Sequence, residues 1–409
     1  MFHHPDPEVL VVGAGPVGLL AALFLRLNGI RVEVIDMDQH TTRQSYALAI
    51  HPRTLRILDG AGVTEKLIAA GRKLTKVAYY EGREKRAEID YSSITSRHPY
   101  LLVVRQSVLE SVVAEALRAE NVKVHWEHRL QGLSVDGGIL RAEVAKLDHE
   151  TAGYAVARSD WVVTATKTIK PTYVIGADGY DSAVRRLSGI RMDEHGAAEL
   201  FSVYEIEAAG DLPAEVRVIL DPDLTSVYWP LEQGRCRWGF QIRNASEHAA
   251  TLKRLEQLIA SRAPWCTARP VQLYWSTLGT FERRLARSFG SGGVWLAGDA
   301  AHRAAPVGVH SMNSGLVEAR ELAARISRIQ HSGGPPSLLQ DFATQTRDTW
   351  QWLLGDSDKA RALPSADPWV RENRARILAC VQASGDDLEA LLGQIGLTAA
   401  PLANAGLQV

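Results

Sequence analysis

A glycine-rich turn near the start of the chain is the first pattern that could do chemistry. Gly13, Gly15 and Gly18 follow the apolar segment 9–12 and open a helix-like segment at 16–27. Glycines at this spacing allow a tight turn whose backbone amides approach a pyrophosphate, and the helix N-terminus favours its negative charge. The predicted binding turn consists of Gly13, Ala14, Gly15, Pro16, Val17 and Gly18.

Asp36 ends the next predicted strand, at 31–36, and stands 23 positions after Gly13. A carboxylate at this place accepts hydrogen bonds from a ribose diol and disfavours a 2′-phosphate. The strand, turn, helix and second strand together form a βαβ unit, which commonly frames a dinucleotide site. The pattern therefore predicts dinucleotide binding, and it leaves FAD and NAD as alternatives.

A second turn follows the apolar segment 172–177, where Asp178 and Gly179 stand at the end of a predicted buried strand. Ser182 and Arg185 belong to the start of the helix that comes next. Ligands of open α/β sheets bind at the carboxyl ends of the strands, so this turn is a candidate ligand contact.

A third pattern lies far along the chain, where the apolar segment 293–298 leads into Gly298 and Asp299. A loop with Pro306 and Gly308 follows, and then a predicted helix at 313–330. Asp299 can accept hydrogen bonds from sugar-like hydroxyl groups. The loop and the helix N-terminus offer backbone amides to an anionic ring system.

Composition limits the classes of protein that these patterns can serve. The 409 residues include 46 basic and 47 acidic side chains, a net charge of −1, which argues against nucleic-acid binding through a large basic surface. The uncharged stretch 9–25 is broken by glycines and a proline, so it predicts no membrane span. The three cysteines form no C-x-x-C pair, which predicts neither a disulfide framework nor a metal site and favours the cytoplasm.

The three patterns together resemble the FAD-dependent aromatic hydroxylases of the para-hydroxybenzoate hydroxylase type, the class A flavoprotein monooxygenases. The glycine turn, the Asp-Gly turn and the Gly-Asp turn stand in that family's order over roughly residues 8–330. The resemblance implies that the first binds the ADP half of FAD. It further implies that the second lies along the flavin and NAD(P)H paths and that the third holds the ribityl chain and pyrophosphate.

The resemblance implies an α/β fold with a Rossmann-like FAD-binding domain and a second, mostly antiparallel β-sheet that binds substrate. Period-two alternation in segments between about 200 and 280 independently predicts such a sheet, and residues after 336 are helix-rich. The predicted division places FAD-binding parts at 1–180 and 286–330, the substrate domain at 181–285 and a helical region at 331–409.

The implied reaction consumes NAD(P)H and dioxygen and hydroxylates a small aromatic molecule, phenolic or polycyclic, through a C4a-hydroperoxyflavin. The cofactor carries the difficult step, so no protein nucleophile is needed and no catalytic acid or base is identified in the sequence. The oligomeric state stays open, with a homodimer among the options.

Further cofactor contacts follow from the resemblance. Arg53 matches an arginine that contacts FAD, with Arg43 as the alternative. Arg105 and Gln106 both match the position over the flavin, and Met312 and Asn313 match positions beside the isoalloxazine. The loop departs from the family pattern P-x-G-G-Q-G-x-N, because Val309, His310 and Ser311 replace two glycines and a glutamine.

The substrate pocket is predicted between the flavin and the second sheet. Because side chains alternate along a strand, at most one of Tyr228 and Trp229 can face the ligand. The predicted pocket residues are His51, Tyr204, Tyr228, Trp229, Trp238, Pro306 and His310.

Other functions remain as alternatives. A flavin-dependent halogenase would use a lysine, for which Lys73 and Lys76 are candidates, although the halogenase pattern W-x-W-x-I-P is missing. A reductase of the same architecture and a non-catalytic FAD-binding protein are further options. An NAD-linked dehydrogenase would explain the glycine turn but leave Gly298 and Asp299 without a role.

Overall fold

A computed structural model describes residues 6–40, 48–152, 158–354 and 360–399. Its helices are α1 Pro16–Leu27, α2 Pro52–Asp59, α3 Thr64–Ala70, α4 Gln106–Ala119, α5 Ala183–Leu187, α6 Leu252–Arg262, α7 His310–Ser332, α8 Ser337–Leu354, α9 Pro368–Glu372, α10 Arg374–Cys380 and α11 Asp386–Gln394.

Its strands are β1 Val9–Val12, β2 Val32–Ile35, β3 Ala49–Ile50, β4 Arg72–Leu74, β5 Lys76–Glu81, β6 Glu84–Asp90, β7 Leu101–Val103, β8 Val124–His125, β9 His128–Asp136, β10 Ile139–Ala152, β11 Arg158–Ile169, β12 Tyr173–Gly176, β13 Met192–Glu194, β14 Glu199–Ala209, β15 Val216–Leu220, β16 Thr225–Pro230, β17 Arg235–Ile242, β18 Arg269–Phe281, β19 Arg284–Ala286, β20 Gly290–Ser291, β21 Val294–Leu296, β22 His302–Arg303, β23 Ala360–Ala362 and β24 Leu397–Ala399.

A mainly parallel sheet forms the first layer, with the strand order β20-β21-β12-β1-β2-β8. The strands from β21 to β8 pair in parallel, and β20 pairs antiparallel at one edge. The strands β1 and β12 are buried along their whole length, which explains their uninterrupted apolar sequences. Helix α1 packs against both α4 and α7.

A second sheet of seven strands has the order β18-β14-β17-β16-β15-β5-β6. Its strands pair antiparallel, except for the parallel pair of β5 and β15. The strands β5 and β6 come from residues 76–90, so the predicted range 181–285 holds only five of the seven strands. The domain ranges themselves stay a prediction.

The two faces of this second sheet belong to different apolar cores. Tyr204, Tyr228 and Trp238 share one core with α6, on the outer face. Phe201 and Trp229 share another core with Val309 and the last helices, on the inner face. Alternation along the strands places these two sets of side chains on opposite faces of the sheet. The inner face meets the loop before α7, because Val309 of that loop belongs to the same core.

The last described segment, 360–399, contains α9 to α11, together with the short antiparallel pair of β23 and β24, and α8 ends the segment before it. Among the described helices, none combines the length and the apolar character needed to cross a bilayer.

Candidate active site

Four neighbouring strands of the parallel sheet end at one edge, and a predicted site residue follows each of them. β1 leads into Gly13, β2 into Asp36, β12 into Ala177 and Asp178, and β21 into Ala297 and Gly298. These strands are parallel, so their carboxyl ends lie side by side. The three sequence motifs therefore converge at the carboxyl ends of the parallel strands.

Close packing between the motifs depends on two glycines. Gly13 (φ +105°) and Gly298 (φ +64°) have left-handed backbone conformations that glycine adopts without strain. A Cβ atom on Gly13 would overlap the carbonyl group of Ala177, and one on Gly298 would lie 2.9 Å from a methyl group of Val17. Any larger side chain would push the first motif away from the second or the third.

The glycine turn presents unpartnered backbone amides at the start of α1. Gly15 is the N-cap, and neither a capping side chain nor an acidic residue occupies the first helical turn. Within the described chain, the amides of Gly15, Val17 and Gly18 donate to no protein acceptor. A Cβ atom on Gly15 would meet nothing within 4 Å, so the space over the turn is open. These donors and the helix dipole suit an anionic group.

Asp36 holds the same turn in place. Its carboxylate accepts hydrogen bonds from the amide of Ala14 (2.6 Å) and from the amide of Asp38 (2.8 Å). Each carboxylate oxygen keeps a lone pair for a further donor. Asp36 can therefore position the turn and still accept a hydrogen bond from a ligand hydroxyl.

Arg185 joins the second motif to the third. The hydroxyl group of Ser182 donates to Asp178 (2.6 Å) and accepts from the amide of Arg185 (2.9 Å), which caps α5. The buried guanidinium group of Arg185 donates to the carbonyl of Ala300 (2.9 Å) and to that of Tyr180 (3.1 Å). These bonds keep the Asp-Gly turn next to the Gly-Asp turn.

The three motif carboxylates differ in how much solvent reaches them. Asp299 is accessible to solvent, and Asp36 and Asp178 are half-buried. Burial nevertheless raises the pKa of Asp36, Asp178 and Asp299 above the usual value for aspartate. Solvent reaches these carboxylates, and yet burial raises their pKa values. Protein atoms therefore surround each carboxylate at short range and leave one side open.

A buried carboxylate on α7 supports the third motif from below. One oxygen of Glu318 accepts from the amide of Gly298 (2.9 Å) and from Nε2 of His302 (2.9 Å). The other oxygen accepts from the indole nitrogen of Trp350 (2.9 Å), and the His302 ring stacks on the Trp350 ring at 3.8 Å. Glu318 therefore fixes the backbone directly before Asp299.

Hydrogen bonds hold all four carbonyl groups of the loop from Pro306 to Val309. The Pro306 carbonyl accepts from the amide of Val309 (3.2 Å), and the Val307 carbonyl accepts from the side chain of Gln382 (3.2 Å). His51 Nε2 lies 3.0 Å from the Gly308 carbonyl. The side chain of Asn313 donates to the Val309 carbonyl (2.9 Å).

Asn313 also ties this loop to the strand β3. Its amide nitrogen donates to the Ala49 carbonyl (3.0 Å), and its oxygen accepts from the amide of His51 (2.8 Å). The side-chain donors of Asn313 are thus engaged by the protein, and its role in the structure is to position the loop. Met312 is partly buried and contacts both neighbouring cores.

The start of α7 is a second set of unpartnered amides. The amides of His310, Ser311 and Met312 donate to no acceptor within the described ranges, and the first turn holds no acidic residue. Since α7 is 23 residues long, its N-terminus carries a positive dipole end. This end can stabilise negative charge on a ring system.

Two buried histidines lie behind the loop. A carbonyl group can only accept, so the bond to Gly308 places the His51 proton on Nε2 and leaves Nδ1 without a partner. Neither ring nitrogen of His310 makes a hydrogen bond of normal geometry, although the Leu378 carbonyl lies near. Burial lowers the pKa of His51 well below the usual value and lowers the pKa of His310 to about 4. Both rings are therefore neutral near pH 7.

A mostly apolar cavity of about 50 Å³ lies between the inner face of the second sheet and this loop. One row of side chains crosses four strands of its wall, because Trp275 pairs with Glu205, Glu205 with Arg237, and Arg237 with Trp229. The lining residues are Leu48, Phe201, Val203, Val227, Trp229, Arg237, Gly239, Trp275, Phe281, Pro306 and Val309.

Glu205 links this wall to the parallel-sheet part of the chain. Its carboxylate binds Arg237 (2.7 Å) and the indole nitrogen of Trp275 (3.2 Å), and it also forms an ion pair with Arg105. Burial by itself would raise the pKa of Glu205. The guanidinium groups of Arg237 and Arg105 have the larger effect and hold that pKa below its usual value. Two arginines and one glutamate leave this cluster with a net positive charge.

Several predicted pocket residues lie elsewhere. Trp229 and Pro306 line the cavity, but Tyr204, Tyr228 and Trp238 point to the opposite face and pack around α6. The structure corrects the predicted position of these three side chains. Because side chains alternate along a strand, Trp229 faces the cavity and its neighbour Tyr228 faces away from it. His51 and His310 are corrected as well, since both are buried behind the loop and do not line the cavity.

The remaining predicted residues have defined surroundings. Arg53 is half-buried and lies against Gly385, and Arg43 lies outside the described residues. Arg105 pairs with Glu205, whereas the side chain of Gln106 donates to Glu110 (2.9 Å).

Neither of the two lysines considered for a halogenase reaches the cavity wall. Lys73 lies over the ring of Tyr100, and Lys76 forms a surface ion pair with Glu88 (2.8 Å).

Sequence reasoning missed the buried charges of this region. Glu205 follows Phe201 and Val203 on one face of its strand, which is the local signal for it, whereas Glu318 stands beside Arg320 and Glu321 and has no such signal. Their partners Arg237, Trp275 and Trp350 stand 32 to 70 positions away in the chain, so the pairs became visible only in three dimensions.

A sequence model of the FAD binding domain family matches residues 6–355. The chain belongs to this family. The predicted relation to FAD-dependent aromatic hydroxylases is thereby confirmed, and FAD is the cofactor of the family. The donor set fits FAD, because two groups of unpartnered amides and the motif carboxylates lie near the carboxyl ends of the parallel strands.

Curated relatives of this FAD binding domain include pentachlorophenol 4-monooxygenase from Sphingobium chlorophenolicum. That protein is 26% identical over 360 residues, and the match covers 85% of this chain and 63% of the relative. The chain thus spans less than two thirds of that relative's length. Para-nitrophenol 4-monooxygenase from Pseudomonas sp. (strain WBC-3) is 27% identical over 356 residues, with 83% of this chain and 82% of the relative covered.

Solved structures confirm the fold class. The crystal structure of p-nitrophenol 4-monooxygenase from Pseudomonas putida DLL-E4 has a TM-score of 0.76 with 23% identity. It covers 96% of this chain and 97% of the other. At this level of identity, the likeness speaks for the α/β fold alone.

Proposed function

We propose that this FAD binding domain is an NAD(P)H-consuming monooxygenase that hydroxylates a small aromatic molecule. One observation carries the proposal: an apolar, tryptophan-lined cavity lies directly against the loop 306–309, which leads into the unpartnered amides at the start of α7 in the candidate FAD site. The names of the relatives support it, since they include monooxygenases of pentachlorophenol and para-nitrophenol.

The strand-end motifs would hold the cofactor. The amides at Gly15, Val17 and Gly18 would bind the pyrophosphate, Asp36 would accept from the ribose, and Asp299 would accept from the ribityl chain. The amides at the start of α7 would lie at the ring and stabilise negative charge there. When bound, FAD supplies the redox chemistry, which transfers one atom of dioxygen to the substrate at the expense of NAD(P)H.

The cavity wall would hold the substrate. Trp229 and Trp275 offer aromatic surface to an aromatic ring, and Phe201 and Phe281 exclude water around it. The positive cluster around Arg237 lies in the same wall and favours a ring that carries negative charge. The protein would therefore orient the ring, keep it dry and stabilise its charge.

The first experiment measures cofactor content and substrate-stimulated NAD(P)H consumption. The purified protein should be yellow or should bind added FAD. A panel of phenol, 4-nitrophenol and pentachlorophenol should include a compound that accelerates NAD(P)H consumption and whose product carries one new ring oxygen by mass analysis. On phenol this oxygen enters a C–H bond, and on the other two rings it can also replace the nitro group or a chlorine. FAD binding without stimulation by any aromatic compound would refute the proposed activity and favour a non-catalytic FAD-binding protein. A halogenated product in chloride buffer would favour the halogenase.

The variant Asp299→Ala tests the cofactor site. Loss of one charged acceptor should weaken FAD binding roughly 10- to 100-fold, measured by titration of flavin fluorescence. The matched control is Asp136→Ala, which removes an exposed carboxylate from the turn between β9 and β10. An equal loss of FAD affinity in both variants would contradict the assignment of Asp299.

A further inference from the structure

Val309 has a backbone conformation that a β-branched residue rarely adopts. Its φ is 51° and its ψ is 31°, in the left-handed region. Among the described residues, the other non-glycine residues with positive φ are Asn121, Glu127 and Gln233, so Val309 is the β-branched one. Left-handed geometry brings Cβ close to the following carbonyl oxygen, and the branched side chain increases the crowding.

The surrounding hydrogen bonds explain how Val309 is held in this state. Its carbonyl accepts from the side chain of Asn313 (2.9 Å), and its amide donates to the Pro306 carbonyl (3.2 Å). Asn313 is itself anchored to Ala49 and His51. The strain is therefore maintained by a network that a glycine at this position would satisfy equally well, because these hydrogen bonds use only the backbone of Val309.

The side chain of Val309 has a different role. Val309 is 8% exposed and lines the cavity from the loop side, next to Pro306 and across from the wall that contains Trp229 and Trp275. A glycine would leave this part of the cavity open. The isopropyl group thus takes up room between the loop and the tryptophan-containing wall.

We infer that Val309 is a specificity-determining residue, which limits the cavity to single-ring aromatic compounds and excludes fused two-ring compounds. The inference rests on the proposed function of the same cavity and deepens it by naming the substrate class. Discrimination by a hydrophobic wall amounts to roughly 10- to 200-fold for a group of methylene size. The three side-chain carbons of valine are sufficient for an effect of this size.

The test compares phenol and 1-naphthol as ligands of the FAD-loaded protein by isothermal titration calorimetry. The wild type should bind phenol more tightly than 1-naphthol. In Val309→Gly, the affinity for 1-naphthol relative to phenol should rise roughly 10-fold or more. Val309→Ala keeps the left-handed Cβ but removes two methyl groups, so this ratio should rise in the same direction by a smaller factor.

Gln233→Gly is the matched control, since it relaxes a left-handed residue (φ 58°) in the hairpin turn between β16 and β17. This variant should leave the affinity ratio unchanged. An unchanged ratio in both Val309 variants, or equal affinity of the wild type for both ligands, would overturn the inference. Failure of the proposed function would look different, because the binding ratios would shift as expected while no hydroxylated product formed.

Discussion

Replacement of Glu318 by glutamine should loosen the third motif and destabilise the whole protein. Glu318 is 3% exposed and accepts three hydrogen bonds, from Gly298, His302 and Trp350, each 2.9 Å long. A glutamine has one acceptor oxygen in place of two. Whichever way its amide turns, the NH₂ group faces at least one of these buried N–H donors.

The size of the effect follows from this arrangement. One buried donor left without an acceptor costs about 1–3 kcal/mol, and the remaining bonds lose the extra strength of a charged acceptor. Part of this loss is offset, because the neutral amide is easier to bury than the carboxylate. The free energy of unfolding should therefore fall by about 2–4 kcal/mol, a large share of the roughly 5–15 kcal/mol of a typical protein.

Urea unfolding, monitored by tryptophan fluorescence, measures this loss, and flavin titration measures the consequence for FAD. The affinity of Glu318→Gln for FAD should fall as well, since the Gly298 amide before Asp299 is held less firmly once its acceptor is uncharged. Glu115→Gln on α4 is the control; its ion pair with Lys66 is exposed, so stability should change by about 1 kcal/mol or less. A urea midpoint of Glu318→Gln equal to that of the wild type would refute the reasoning.

Two further predictions concern pH dependence and the faces of the second sheet. Burial lowers the pKa of His310 to about 4, so the unfolded chain binds its proton first and stability falls as the pH drops below about 6.5. His310→Gln should remove this contribution, roughly 3 kcal/mol between pH 7 and pH 4, and parallel stability curves of both proteins over this range would contradict it. Trp229→Phe should weaken binding of an aromatic ligand, because Trp229 lines the cavity. Tyr228→Phe should lower stability by about 1 kcal/mol through loss of its bond to the Pro213 carbonyl (3.1 Å) and leave ligand affinity unchanged, and the reverse pattern in calorimetry would refute the assignment of faces.

Local patterns in the sequence were enough to predict the elements that carry the motifs. The segments 9–12, 16–27 and 31–36 correspond to β1, α1 and β2 within one residue, and the segment 107–119 corresponds to α4. Glycine turns and apolar periodicity depend on residues within a few positions of each other, so a single chain shows them directly. The order of the motifs then indicated the family.

The same patterns could not assign roles inside the site. Asn313 matched a position beside the flavin ring, but the structure uses its side chain to join the loop to Ala49 and His51. The partners are more than 260 positions apart in the chain, and no periodicity connects them.

The sequence by itself determined that a strand, a glycine turn and a helix recur with acidic residues at the strand ends, and that Tyr228 and Trp229 must point to opposite faces. Only the tertiary structure decided which face meets the cavity, because helix α6 covers one side of the sheet and the loop before α7 covers the other. Alternation along a strand is a property of the local backbone, whereas the identity of each face depends on what packs against it. For the same reason the pairing of Glu205 with Arg237, and of Glu318 with Gly298, exists only after distant strands and helices have come together.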